Sequence, residues 1–130
     1  MTGYVTNIEK ATMENEFFRK VLFTARNSQL VVMTLQPSED IGMETHPEND
    51  QFIRIEAGEG KAILDNKEYE IKENSAIVIP AGTRHNIINT SKSEKMKLYT
   101  VYSPSNHPVG TIHKTKSDAD AAEAAEHAHA

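Results

Sequence analysis

The chain contains no cysteine. Disulfide staples and thiolate metal ligands are therefore excluded. It has no basic run either, and its formal net charge is -5. A nucleic-acid partner, whose phosphates need a positive surface, is not expected. No apolar run approaches the length of a membrane span, and the opening MTGYVTNIEK lacks the apolar core of a signal peptide. These absences set the expectation of a cytoplasmic protein with no membrane partner. Hydrophobic residues make up only 38% of the chain, so a core can form only if they are well patterned. The length of 130 residues fits one domain and not two.

What is present is a β pattern. Residues 17–25, FFRKVLFTA, alternate roughly and carry strand formers. Residues 30–35, LVVMTL, form a second, nearly all-apolar run closed by Pro37. Further strands are expected at 44–46, 52–57, 61–64, 68–72, 76–79, 85–89 and 96–102, with Val5 and Ile8 adding an edge strand at the start. The AIVI run at 76–79 is apolar on both faces and reads as a central strand. About eight or nine short strands with turn signals every ten residues or so describe an all-β sandwich or barrel. No helical period is visible before residue 115. The composition then changes to DADAAEAAEHAHA, where alanine favours a helix without a broad apolar face. The expected organisation is one β-barrel domain over residues 1–115 and a short helical or disordered tail over 116–130.

The stretch ETHPENDQ at 44–51 carries the chemistry. Glu44 and His46 are two apart, which on a strand puts both side chains on one face. Pro47 to Asp50 reads as a turn. Gln51 then shares a face with Ile53, Ile55 and Ala57, so it points towards an interior. His85, aimed inward by the turn PAGTR before it, completes a set of four. Glu44, His46, Gln51 and His85 are the candidate metal ligands. Each has a plainer reading: Gln51 as an interior hydrogen-bonding residue, Glu44 as a solvated carboxylate. Glu48 is an alternative ligand, and Arg54 and Arg84 are candidate contacts for an anionic substrate or surface pairs. His107 and His113 lack a strand context.

Pro80-x-Gly82-x-x-His85-x-x-x-Asn89, together with the first stretch, resembles the cupin superfamily. Members carry one motif with two histidines, a glutamate and a glycine, and a second with proline, glycine, histidine and asparagine. The second motif matches at Pro80, Gly82, His85 and Asn89, with Asn74 at its usual opening glycine. The first aligns through Gly58, which sets Gln51 in place of the glutamate, His46 at the second histidine and Glu44 at the first. The resemblance spans roughly residues 30–103. It implies a cupin-type double-stranded β-helix, a jelly-roll barrel, that pairs as a homodimer. It also implies a divalent ion (Fe, Mn, Ni or Zn) in a modified site. Two imidazoles, one carboxylate and one amide keep a formal ligand charge of minus one. Cupin relatives include dioxygenases and sugar-phosphate isomerases. The expected function is a metal-dependent enzyme on a small molecule, the alternative a non-catalytic module that binds or senses one.

Overall fold

Alternation of inward and outward side chains builds the strands. In β3 (Asp50–Ala57), Gln51, Ile53 and Ile55 are buried while Asp50 is exposed and Phe52 and Arg54 are half-buried. The computed structural model describes residues 2–128. Its other elements are α1 (Ile8–Glu14), β1 (Arg19–Thr24), β2 (Gln29–Leu35), β4 (Glu59–Leu64), β5 (Lys67–Lys72), β6 (Ala76–Ile79), β7 (His85–Asn89), β8 (Met96–Ser103), β9 (Ile112–His113) and α2 (Lys116–Ala128). A six-stranded sheet runs β6-β3-β8-β2-β1-β9, and a three-stranded sheet runs β5-β4-β7. All the strand pairings are antiparallel. Met33, Leu35, Ile53, Ile55, Ile79, Met96 and Leu98 from the larger sheet meet Ala62, Ile71 and Ile87 from the smaller one. This is the expected jelly roll, and residues 76–79 and 85–89 are strands as read.

The chain passes from one sheet to the other at Gly58. Its φ of +98° lies in the left-handed region, and a Cβ there would fall 2.9 Å from the Lys95 carbonyl oxygen. The β3–β8 register slips between Ile55 and Ala57 just before this corner, as a bulge does where a strand must bend. Two residues on, Gly60 is required by close packing alone: a Cβ would lie 2.0 Å from the Ile88 carbonyl oxygen and 2.6 Å from Met96 Cε.

Four expectations are corrected. The N-terminal edge strand is instead the helix α1. Asn7 caps it by accepting from the Lys10 amide at 3.0 Å, and Ile8, Ala11, Thr12 and Asn15 form its covered face. That face is small and polar, so the helical period carried little hydrophobic signal. β6 is an edge strand, paired to β3 alone, with Val78 65% exposed. A short run that is apolar on both sides does not by itself show on which side a neighbour lies. Residues 44–46 form no strand; Glu44 makes an isolated bridge to His85. Finally, His113, read as lacking a strand context, lies in a short strand, β9, which pairs with β1. The tail is helical from Lys116, as one of its two expected forms, and its last two residues lie outside the described residues. Among the described residues no helix is long and apolar enough to cross a membrane.

Gly60→Ala places a methyl against backbone that cannot retreat. The expected cost is about 3 kcal/mol or more, read as a fall in the denaturant midpoint; an unchanged midpoint would show that β4 and β7 are not packed as described.

Candidate metal centre

The backbone brings the two sequence motifs together. Glu44 and His85 exchange both of their amide hydrogen bonds, each 2.8 Å long. Directly opposed residues of an antiparallel pair project their side chains to the same side. Gly82, at φ +85°, donates its amide to the His46 carbonyl at 2.9 Å. The Ala81 amide donates to Asp50 Oδ1 at 2.9 Å. The Pro-x-Gly turn is thus tied to both flanks of the 44–51 stretch. Asn89 closes the other end of β7: its buried amide donates to the carbonyls of Leu35, Gln36 and Glu94.

His85 is presented in a defined tautomer. His85 is 3% exposed, and its Nδ1 lies 2.9 Å from the Thr83 carbonyl oxygen. A carbonyl only accepts, so Nδ1 carries the proton and Nε2 keeps its lone pair. Burial holds the His85 pKa below its ordinary value; the Thr83 hydrogen bond and the Glu44 charge oppose that, and His46 adds to it. Gln51, 4% exposed, donates Nε2 to Thr100 Oγ1 at 3.0 Å. Among the described residues its buried Oε1 has no hydrogen-bond partner. His46 Nε2 is buried and likewise lacks one. It stands 2.9 Å from Glu44 Oε2, close enough for an ion pair but without hydrogen-bond alignment. Two donors each about 2.0–2.2 Å from a shared ion at right angles stand roughly 3 Å apart. The His46 and His85 rings lie 5.2 Å apart, and the Tyr102 ring meets His46 edge-on at 5.8 Å. Gln51 faces Tyr102 in the β3–β8 register. The structure therefore sets Glu44 on His46 and His46 on His85, with Gln51 joined through Tyr102.

The residues present fit a divalent ion by their chemistry: two imidazoles, a carboxylate and an amide oxygen, two of the four donors orphaned. Among the described residues, no group of three or more His, Cys, Asp or Glu side chains is placed to hold a metal ion; the fit of Glu44, His46 and His85 is one of donor chemistry. Gln51 is the residue that would complete the set.

A cavity of about 370 Å³ opens outward from Glu44 and His46. Arg19, His107, His113 and, from α2, Ala122 and Glu123 also line it. None of these five was expected at the site. Arg19 shares a face of β1 with Val21, and both are buried; that period of two was visible in the sequence. His107 and His113 carried no such signal, because His107 lies outside any strand and β9 is only two residues long. The other candidates lie elsewhere. Arg54 pairs with Glu56 at 3.6 Å and donates to Asn74 at 2.8 Å. Arg84 and Glu48 are exposed, and Asp50 binds the Ala81 amide.

Comparison with known proteins agrees with this architecture. Residues 31–102 match the family model described as "Cupin domain", and the chain belongs to the cupin family. It is 48% identical over 126 residues to the Bacillus subtilis (strain 168) protein called uncharacterized protein YrkC, covering 92% of this chain and 67% of that one. It is 49% identical over 112 residues to uncharacterized protein L612 of Acanthamoeba polyphaga mimivirus, covering 84% of this chain and 70% of the relative. The crystal structure of BH2720 from Bacillus halodurans superposes with a TM-score of 0.90 at 42% identity, covering 92% of this chain and 95% of that one.

Thr100 is fully buried and holds the Gln51 amide. Thr100→Val keeps the shape but leaves that donor unpaired, at a cost of about 1–3 kcal/mol. If Gln51 is a ligand, the same change weakens metal affinity by roughly 10–100-fold. Metal titration followed by thermal unfolding separates the two effects, and unchanged affinity would remove Gln51 from the ligand set.

Proposed function

We propose that this protein is a divalent-metal cupin that acts as an enzyme, of the oxygenase- or isomerase-like kind, on a small molecule held in its cavity. The observation that carries this reading is the pair of buried acceptors without hydrogen-bond partners among the described residues, His46 Nε2 and Gln51 Oε1. Leaving such groups unpaired costs about 1–3 kcal/mol each, and a metal ion satisfies both. The amide oxygen is a harder donor than imidazole, which favours Fe(II), Mn(II) or Ni(II). When bound, the ion supplies Lewis-acid or redox chemistry at its open positions.

The chain's own residues do the rest. Thr83 and Thr100 fix the orientation of His85 and Gln51, as partners behind the ligands must. Burial pushes the Tyr102 phenol pKa up, so the buried phenol stays protonated behind the cavity, its oxygen 3.4 Å from His107 Nε2. Burial, followed by the charge of Arg19, holds His107 down to about 3, which keeps its imidazole neutral. A second reading, a non-catalytic binding module, is supported by the direct Glu44–His46 contact at 2.9 Å, which partly satisfies both groups with no ion.

Elemental analysis of the purified chain tests the proposal. About one metal per chain is expected, lost in His46→Ala and His85→Ala. Metal should raise the Tm of the parent and not of either variant. Equal metal content in parent and variants would discard the four-ligand centre. Gln51→Glu adds charge to the site and should tighten binding; weaker binding would exclude Gln51 as a ligand. The homodimer is part of the same proposal, and a single-chain mass by light scattering at micromolar concentration would discard it.

A further inference from the structure

Arg19 is a buried charge on the cavity that the metal reading does not use. Its side chain is 2% exposed. NH1 donates to His113 Nδ1 at 3.1 Å. That nitrogen must act as acceptor, because a guanidinium only donates. Among the described residues Nε is buried and without a hydrogen-bond partner, and no carboxylate lies within ion-pair distance of the guanidinium. The Phe18 ring, 5.3 Å away, gives a cation–π contact, which offsets little of the cost of burial. A guanidinium cannot shed its proton to escape burial. An uncompensated buried charge of this kind costs several kcal/mol. The protein nonetheless places it on the wall of a cavity of about 370 Å³, within the range typical of small-molecule sites, about 300–1,000 Å³.

The surroundings suit one negative charge. His113, opposite Arg19 in the β1–β9 register, and His107 line the same wall. The charge of Arg19 adds to burial in holding the His107 pKa down. The acids that share the cavity are Glu44, beside His46, and Glu123 of α2. Arg19 supplies one positive charge, which a single carboxylate balances and a dianionic phosphoryl group exceeds. A carboxylate matches the planar fork of Arg in both shape and charge.

We infer that Arg19, with His113 behind it, forms a subsite for the carboxylate group of a small organic acid, whose remaining atoms extend towards Glu44 and His46. This rests on the reading above that the cavity is the ligand site, and it names the ligand class. Arg19 would decide specificity: it rejects neutral isosteres because they leave its charge unanswered.

The test uses malonate and its uncharged amide, malonamide, on the full chain stripped of metal and, separately, loaded with it. Malonate at tenfold over its Kd should raise the Tm of the metal-free protein by about 3–6 °C, and malonamide should not. Arg19→Met keeps the apolar stem. It should abolish the malonate shift while leaving metal content unchanged. On the unmodified protein, the Arg19 Nε–Hε NMR signal should move on malonate addition and stay still with malonamide; this decides the matter should Arg19→Met fail to fold. Equal responses to the two compounds, a malonate shift retained in Arg19→Met, or no response in either metal state would overturn the subsite. A chain that binds malonate through Arg19 but takes up no metal would discard the metal centre and leave the subsite standing.

Discussion

The reciprocal hydrogen bonds between Glu44 and His85 are the contact on which the site depends. Residues 41–49 have no strand of their own. That bridge and the Gly82 amide on the His46 carbonyl, together with the Ile41 amide on the Ile87 carbonyl and the Gly42 amide on Asn86 Oδ1, keep them from being a free loop. Loops place side chains less accurately than sheets do. Here two residues of a loop inherit the accuracy of β7, because their backbone is pinned to its first residue and to the turn before it. β7 in turn is held along its length by β4 and at its far end by the three carbonyls that Asn89 binds. The asparagine of the second motif is thus an anchor for the strand and the histidine its working end.

Much of this was legible in residue types. Asn74, set at the motif's usual opening glycine, and the motif's Gly82 both take a left-handed backbone, with φ of +73° and +85°. Gln51, Ile53 and Ile55 share the buried face that a period of two assigns them. What was not legible has physical reasons. The covered face of α1 is built from Ile8, Ala11, Thr12 and Asn15. Thr12 satisfies itself by donating to the Ile8 carbonyl at 2.7 Å, and Asn15 by bonding Phe17 and Thr34. A helix that docks through hydrogen bonds leaves no apolar stripe to read. β6 could not be placed at an edge because side-chain pattern records faces and not lateral neighbours.

The outer half of the cavity was the least visible part. Arg19 lay on an inward face of β1 by simple alternation, yet a charged residue in a strand is usually read outward. His107 and His113 become site residues only through contacts with elements far off in sequence: Gln29 binds the backbone of 106–107, and β9 docks on β1. Such pairings are set by tertiary closure and not by local preference. The inner donors, by contrast, come from two short motifs whose turns prescribe their own geometry.

Chain direction gives these two halves different histories. Synthesis runs from the N-terminus, and every inner donor lies at or before residue 85. Once β8 has emerged, β3 has its neighbours on both sides and the inner pocket can close around Gln51. The rest of the outer wall comes later, with His107, His113, Ala122 and Glu123. The candidate donors and most of the outer wall are thus carried by separate stretches of the chain, on either side of β8.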